Sequence, residues 1–219
     1  MAAIVDPALL RNPALRLARE LLGAMVVRRL TEGELLRARV VETEAYHQHD
    51  RACHAFGGRK TKRNAVMFEA GGVAYVYFVY GMHWAFNVVT GDAGTAEAVL
   101  IRAVVPCEGS ATMARLRGFC DRRPAPRDMR LWCNGPGKVA QALGLTGRHS
   151  GMPLDGSAEL WIEVGEPVAD DHVRIAPRIG VDYAQADADL PWRFVVDGGA
   201  HRAIKAPPHP GLRRDGRAT

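Results

Sequence analysis

Residues 73–89, "VAYVYFVYGMHWAFNVV", carry the clearest local signal in the chain. Two runs rich in β-branched and aromatic residues flank Gly81 and Met82, and this composition is typical of two strands joined by a tight turn. Glycine in the first central position fits a two-residue type II′ turn. The stretch therefore predicts a β-hairpin with Tyr80 at its tip, beside the turn.

The segments around this hairpin predict more strands, with a few helices between them. Residues 24–46 read as two strands joined by the turn "TEGE", and residues 97–106 read as another. Asn12 and Pro13 predict the N-cap and first position of a helix over residues 13–22. Further strands are predicted within residues 159–164, 172–181 and 192–196, and further helices within residues 110–119 and after an N-cap at Asn134. Because strands and helices do not alternate strictly, we predict an α+β fold with a mostly antiparallel sheet.

Length and composition favour one domain that works outside the membrane. The chain has 219 residues, 47% hydrophobic and 24% charged, and no apolar run long enough to span a bilayer. We expect one domain over residues 1–205 and a flexible tail over residues 206–219. Four cysteines without a C-x-x-C pair indicate reduced thiols, and the start of the chain does not resemble a signal peptide, so we expect a cytoplasmic protein, nucleoid-associated if bacterial. The net charge of +5 is compatible with a polyanionic partner.

Residues 41–55, "VETEAYHQHDRACHA", combine carboxylates, histidines and a cysteine and allow two interpretations. A metal site would use His47, His49, Cys53 and His54. However, Cys53 and His54 are adjacent and would point apart, and no H-E-x-x-H motif is present. Polar loop residues without a metal role are therefore the favoured interpretation, and we expect no metal and no cofactor.

Glu42 and Glu44 lie two positions apart at the end of a predicted strand, so both would face the same side. Taken alone, a pair of solvated carboxylates is the favoured interpretation. Because the two residues end an apolar strand face, one of them could also lie at the core edge and act as a general base. Arg102 and Asn87 interrupt other apolar strands; Arg102 fits a structural salt bridge as well as an active-site partner of Glu44.

A basic run at residues 59–64, "RKTKRN", precedes the hairpin. An exposed solubilising loop is one interpretation, and phosphate contact through residues such as Arg59 is the other. Tyr75 and Tyr77 share a strand face, which favours core packing for both. Tyr80 at a hairpin tip is harder to bury and could wedge into a base stack.

Together these residues resemble the alkyladenine (3-methylpurine) DNA glycosylase family. The resemblance runs in order through five motifs, and it covers about residues 10–200. The motifs are "VVETEAY" (40–46), "ACHAFGGRKTKRNAVMF" (52–68), "AYVYFVYGMHWAFNVV" (74–89), "VLIRAVVPCEG" (99–109) and "GPGKVAQALG" (135–144). Several long motifs in one order are far more specific than any short pattern.

The resemblance implies an enzyme that initiates base excision repair on double-stranded DNA containing damaged purines. It would hydrolyse the N-glycosidic bond of alkylated or deaminated purines such as 3-methyladenine, 7-methylguanine, ethenoadenine and hypoxanthine, after flipping the base. It also implies a monomeric single domain around a curved antiparallel sheet with a protruding hairpin, and no cofactor in the chemistry. No lysine lies in the matched site motifs as a Schiff-base nucleophile, so we expect no strand-cleaving lyase activity.

The resemblance also assigns roles to individual residues. Glu44 would activate water and Arg102 would position it. The flipped base would be held by Tyr46, His54 and Tyr77, while Asn87 would exclude guanine by crowding its exocyclic amine. The remaining assignments concern DNA contacts: Tyr80 filling the gap in the duplex, Met82 beside it, and Thr61 and Arg63 on the backbone.

Two other functions remain open at this point. A metal-dependent hydrolase would use the histidine loop at residues 47–54, and its activity would be lost with a chelator. A non-catalytic nucleic-acid-binding module would bind DNA without regard to a lesion and release no base.

Overall fold

An antiparallel sheet of eight strands forms the framework of the computed structural model, which describes residues 3–119 and 132–197. The strands are β1 Met25–Arg29, β2 Leu35–His47, β3 Ala74–Val79, β4 His83–Val89, β5 Glu97–Glu108, β6 Leu160–Glu163, β7 Val173–Ala176 and β8 Arg193–Val196. The main path is β3-β4-β5-β2-β1-β6, and β8 pairs with both β2 and β7. The predicted α+β class and antiparallel sheet are confirmed.

Helices and short 3-10 turns surround the sheet. The described α-helices are α1 Ala14–Glu20, α2 Ser110–Leu116 and α3 Pro136–Ala142. The 3-10 segments are Leu9–Arg11, Phe56–Gly58, Ala65–Phe68, Gly147–His149, Asp170–His172 and Asp182–Asp189. Within the described ranges, no helix combines the length and the apolar character needed to span a membrane. The predicted tail at residues 206–219 lies outside the described residues.

Strand β2 is the longest strand and organises the sheet. One of its edges pairs with β5 over nearly its full length. On the other edge, its first residues pair with β1 from Leu35 to Arg39, and residues Glu42–Glu44 pair with β8. Register shifts interrupt the β2–β5 ladder between Val40 and Thr43, at the change of partner. The two ends of β2 therefore lie in different surroundings.

Helix α1 confirms the helix predicted over residues 13–22, but its N-cap was predicted wrongly. Pro13, not Asn12, occupies the cap position. The free N–H of Ala14 donates to the Glu97 carboxylate at 2.7 Å, so a side chain from β5 satisfies the helix end. Asn12 instead donates to Glu20 at 3.0 Å.

The cap predicted for the helix after Asn134 is displaced by one residue in the same way. Gly135 is the N-cap and Pro136 is the first helical residue, where a missing N–H costs nothing. Asn134 accepts a hydrogen bond from Lys138 at 2.7 Å.

The predicted hairpin is present as β3 and β4, but its turn differs from the prediction. Val79 pairs with His83, which leaves a three-residue connection from Tyr80 to Met82. The N–H of Met82 donates to the carbonyl of Val79 at 3.3 Å, and the two central residues, Tyr80 and Gly81, have φ of 54° and 68°. The type II′ turn at Gly81–Met82 is therefore wrong. Two positive φ angles are typical of a type I′ turn, whose twist matches paired strands.

Candidate active site

A pocket of about 260 Å³ opens between the sheet and the segment that follows β7. Eight residues singled out in the sequence line it together: Glu44, Tyr46, His54, Tyr75, Tyr77, Tyr80, Asn87 and Arg102. Arg59, Thr61, Arg63 and Met82 do not belong to its lining. The fold therefore brings the candidates from β2, β3, β4 and β5 to one place.

Glu44 is fully buried, with 0% exposure, although it belongs to the pocket wall. The Tyr46 hydroxyl donates to its Oε2 at 2.9 Å, and the backbone N–H of Ile179 donates to its Oε1 at 2.9 Å. Arg102 Nη1 lies 3.5 Å from the carboxylate. The carboxylate is thus held in one orientation from both sides of the pocket.

The electrostatic surroundings of Glu44 do not fully compensate its charge. Burial raises the pKa of the Glu44 carboxyl, and this effect outweighs Arg102, the Ile179 amide and the Tyr46 hydroxyl, which lower the pKa. Glu42 adds a small further increase. A carboxylate with a raised pKa is a stronger proton acceptor when ionised, as a general base requires.

Arg102 joins Glu44 to a chain of charges across three strands. Its Nε donates to Glu42 at 3.0 Å, and Arg193 from β8 donates to the same oxygen at 3.0 Å. Glu42 and Glu44 therefore face the same side of β2, as their spacing predicts. Both interpretations of Arg102 hold geometrically, since it forms a structural salt bridge and also reaches Glu44.

Aromatic rings form one wall of the pocket. The rings of Tyr75 and Tyr77 stack with centroids 5.1 Å apart, and His54 meets Tyr77 edge-on at 4.4 Å. His54 Nδ1 lies 3.0 Å from the Tyr75 hydroxyl. Tyr75 is 1% exposed, as expected of core packing, whereas Tyr77 is only partly buried. The sequence did not identify Tyr75 as the residue that orients His54.

Titration of these rings is shifted so that each stays neutral near pH 7. Burial raises the pKa of Tyr77 to about 12. Burial also raises the pKa of Tyr46 well above its ordinary value, and the charge on Glu44 adds to this increase. Burial away from water lowers the pKa of the His54 imidazole, and the positive charge of Arg63 lowers it further. The wall therefore consists of uncharged rings with hydroxyl donors.

Asn87 lies on β4 and is 4% exposed. Its Nδ2 donates to the Tyr75 carbonyl at 3.1 Å, which ties the amide to the neighbouring strand. A buried amide in this position narrows the pocket with a polar group of fixed orientation.

The rim of the pocket is exposed and partly basic. Tyr80 is 79% exposed and Met82 is 69% exposed at the hairpin turn. Arg63 donates to the Phe78 carbonyl at 2.6 Å, and its guanidinium carbon lies 5.5 Å from the Tyr77 ring centroid. Arg63 is thus anchored to the hairpin.

Asn64 is a structural residue of the basic loop that the sequence did not reveal. It is 2% exposed, and its Nδ2 donates to the carbonyls of His54 and Arg59, both at 2.9 Å. Its Oδ1 accepts from the backbone N–H of Thr61 at 2.6 Å and from the Thr61 hydroxyl at 3.0 Å. The position of Asn64 directly before the apolar run "AVMF" is the sequence feature that could have indicated its structural role.

The histidine loop does not assemble the four proposed ligands. His47 and His49 lie with ring centroids 4.7 Å apart, and His47 Nε2 is 3.4 Å from Glu97. Cys53 packs in an apolar cluster, apart from them. In residues 3–119 and 132–197, no group of three or more histidine, cysteine, aspartate or glutamate side chains is placed to hold a metal ion.

The strand predicted over residues 172–181 ends early, and this error concealed part of the pocket. Strand β7 stops at Ala176, because Pro177 cannot donate to a ladder. Four residues of the following segment then line the pocket: Ile179, Gly180, Val181 and Tyr183. They supply the Ile179 amide to Glu44, while the Tyr183 hydroxyl donates to the Ala52 carbonyl at 3.2 Å.

Comparisons with known proteins identify one family. Residues 8–200 match the sequence model of a family described as methylpurine-DNA glycosylase. A protein of Carboxydothermus hydrogenoformans is 48% identical over 188 residues, which cover 86% of this chain and 92% of that protein. A protein of Myxococcus xanthus is 46% identical over 205 residues, covering 93% and 94%. Both carry the name "Putative 3-methyladenine DNA glycosylase".

Proposed function

Because the chain belongs to the methylpurine-DNA glycosylase family, we propose that it hydrolyses the N-glycosidic bond of damaged purines flipped out of duplex DNA, with Glu44 as general base. The family makes the protein a DNA glycosylase. The observation that carries the mechanism is the buried Glu44 carboxylate, oriented by two hydrogen bonds inside a pocket with aromatic walls.

The proposed step is a displacement at C1′ of the damaged nucleotide. Water attacks C1′ and gives a proton to Glu44, while the bond between C1′ and the purine nitrogen breaks and its electrons leave with the base. A cationic alkylated purine departs as a neutral base and needs no added proton. The ionised carboxylate also stabilises positive charge that develops on the sugar. We assign the positioning of this water to Arg102, whose Nη1 lies 3.5 Å from the Glu44 carboxylate.

The aromatic wall supports the binding of a flipped base. Stacking of a base on an aromatic ring contributes about 1–3 kcal/mol, which offsets the few kcal/mol needed to extrude it. Tyr46, Tyr77 and His54 supply neutral rings and hydroxyl or imidazole groups for this purpose. Asn87 would crowd the exocyclic amine of guanine and so exclude the normal base.

The rim supports contact with the DNA. We assign Tyr80 to the gap that the flipped nucleotide leaves, with Met82 beside it on the turn. Arg59, Thr61 and Arg63 would meet the phosphate backbone, in line with the net charge of +5. The bond between Thr61 and Asn64 would hold this loop ready for binding. We further propose that the protein acts as a monomer in the cytoplasm, on or near the nucleoid.

The test uses duplexes with one hypoxanthine or one ethenoadenine, together with methylated bulk DNA, all in the presence of EDTA. Free base and alkali-labile sites are scored for wild type and for Glu44→Gln. We expect release by wild type alone. Release that requires added zinc would support a metal-dependent hydrolase, and lesion-independent binding without release would support a binding module; either result sinks the proposal.

The expected absence of lyase activity has its own measurement. Borohydride added during the reaction traps any Schiff base between enzyme and abasic DNA. We expect no covalent adduct with the wild-type protein, and strand breaks only after alkali. A trapped adduct would overturn this part of the proposal.

A further inference from the structure

Arg178 lies behind the pocket wall, outside the residues that line the pocket. Its side chain is 0% exposed and is paired with the carboxylate of Asp50, which is also 0% exposed. Removing both charges from water is costly, and the attraction between them offsets that cost only with good geometry and further hydrogen bonds. The Arg178–Asp50 pair beside the pocket therefore depends on the further contacts of the guanidinium.

The guanidinium of Arg178 connects three segments of the chain. Nη1 donates to the carbonyl of Ala45 at 3.0 Å, in the strand β2. Nη2 donates to Asp50 Oδ1 at 2.8 Å, in the loop after β2, and to the Asp187 carbonyl at 2.9 Å, in the segment before β8. Ala45 is the residue between Glu44 and Tyr46, so the guanidinium of Arg178 binds the backbone next to both site residues.

Arg178 also contacts the ring of Tyr46. Its guanidinium carbon lies 4.8 Å from the Tyr46 ring centroid and 5.1 Å from that of Trp192, so the cation contacts both aromatic rings. The Tyr46 hydroxyl is the group that donates to Glu44. The residue after Arg178 is Ile179, whose N–H is the second donor to Glu44.

We propose that Arg178, held by Asp50, is a positioning residue that keeps the Tyr46 hydroxyl and the Ile179 amide directed at Glu44. The inference rests on the proposed function, in which Glu44 is the general base. Arg178 acts through these two groups, because it does not itself line the pocket. Its role would be to keep the carboxylate oriented and ionised.

The direction of the expected pH effect follows from the contacts of Glu44. The Ile179 amide and the Tyr46 hydroxyl both lower the pKa of Glu44. Loss of either hydrogen bond to Glu44, or of the positive charge of Arg178, would raise the pKa of Glu44. A higher pH would then be needed to ionise its carboxyl group. The charged or titratable groups around Glu44 are Glu42 and Tyr46 from β2, Tyr77 from β3, Arg102 from β5, Arg178 itself, and Arg193 from β8.

The experiment measures single-turnover excision, with enzyme in excess, across pH for wild type, Arg178→Met and Arg178→Lys. For Arg178→Met we expect the excision rate at pH 7 to fall by about tenfold, which is less than the roughly 100-fold loss expected when a catalytic group itself is misplaced. We also expect the acid limb of the pH–rate profile, where the rate rises as the base ionises, to move to higher pH. Arg178→Lys keeps a positive charge opposite Asp50 but lacks the planar guanidinium, which donates several hydrogen bonds at once. Its excision rate and the position of its acid limb should therefore lie between those of wild type and Arg178→Met.

Two further variants keep the test decisive. Arg178→Met leaves the buried Asp50 carboxylate unpaired, which destabilises the fold. The double variant Asp50→Asn/Arg178→Met removes both charges, and thermal melting identifies the folded proteins. Arg37→Met is the matched control, since it breaks ion pairs at the opposite end of β2. We expect the double variant to resemble Arg178→Met and the control to keep the wild-type acid limb.

The outcomes separate the inference from the proposed function. Folded Arg178 variants with the wild-type acid limb would overturn the inference, whether or not their rates fall, because general destabilisation lowers activity without moving the limb. Wild type without base release would instead overturn the proposed function. Active Glu44→Gln would show that Glu44 is not the base, whatever Arg178 does.

Discussion

The two ends of strand β2 carry charged side chains at similar spacing but differ in how those charges are balanced. At the first end, burial lowers the pKa of Arg37, but its bonds to Glu163 and Glu108 outweigh burial and raise the pKa above the ordinary value. At the second end, burial raises the pKa of Glu44, and there burial outweighs the favourable partners. Burial and charged or hydrogen-bonding partners compete at both ends of β2. The partners outweigh burial at Arg37, whereas burial outweighs the partners at Glu44.

The difference separates a charge that its partners stabilise, on Arg37, from one that burial leaves under-stabilised, on Glu44, the residue that we propose as the base. The partners of Arg37 include Glu108 at the surface, and the pair holds β2 against its neighbours. Glu44 has no exposure, and its partners orient the carboxylate without fully stabilising its charge. A group that its surroundings leave under-stabilised accepts protons more readily. Ion-pair geometry alone would not have distinguished the two ends.

The largest expected effect comes from removing the base. Glu44→Gln should lower the single-turnover excision rate by about 10²–10⁴-fold, because the amide cannot accept the proton of water. The matched control is Glu163→Gln, which changes another buried glutamate, the one that pairs with Arg37. We expect the control to excise at the wild-type rate. Equal losses in both variants would remove the distinction between the two ends.

The next effect concerns the cation beside the base. Arg102→Met should lower the excision rate by about 100-fold, the scale found when one preorganised donor is removed from a catalytic site. Arg102 lowers the pKa of Glu44, so its loss should raise that pKa and move the acid limb of the pH–rate profile to higher pH. A lower rate with an unmoved limb would mean that Arg102 does not act on Glu44 electrostatically.

A smaller effect is expected at the hairpin turn. Tyr80→Asn should weaken binding to lesion-containing duplexes by about tenfold, since one stacked ring is lost. Asparagine adopts positive φ more readily than tyrosine, so thermal stability should be unchanged or slightly higher. Leu15→Ala, at another exposed apolar side chain outside the pocket, should leave affinity unchanged. Unaltered affinity in Tyr80→Asn would exclude the wedge role.

The smallest effect on excision is expected at the structural end of β2. Arg37→Met should cost about 1–3 kcal/mol of unfolding free energy, because it leaves the buried Glu163 carboxylate without its cation, whereas the pair with Glu108 lies at the surface and is screened. Denaturant unfolding measures this change, and the excision rate per folded molecule should not change. A loss of catalysis here would show that the sheet transmits the charge state of one end of β2 to the other.

Local patterns predicted much of the sheet, while the candidate residues of the pocket came mainly from the resemblance to the family. Runs rich in β-branched, aromatic and other apolar residues predicted β2 to β5, and the two-residue spacing of Glu42 and Glu44 predicted their shared face, which the contacts with Arg102 confirm. These predictions succeed because side-chain direction in a strand depends on the backbone period alone. The resemblance to the family then added residues such as Asn87, to which no local pattern gives a role.

The errors arose where a distant segment completes a local structure. The cap of α1 is a carboxylate from β5, which is 83 residues away from Ala14. The hairpin turn centres on Tyr80 because strand pairing starts at Val79, and composition favoured Gly81 as the first central residue. The strand predicted over residues 172–181 ends at Ala176, before Pro177, and the chain then runs along the pocket.

The sequence by itself determined the α+β class, the positions of most strands along the chain and, through the resemblance to the family, the candidate residues of the site. Only the tertiary structure decided that Glu44 is fully buried, that the Ile179 amide, 135 residues away, binds it, and that Arg178 pairs with Asp50 behind Tyr46. The physical reason is that residue periodicity reports backbone geometry over a few residues. Solvent exposure and charge compensation, which raise the pKa of Glu44 and also that of Arg37, depend on segments far apart in the chain.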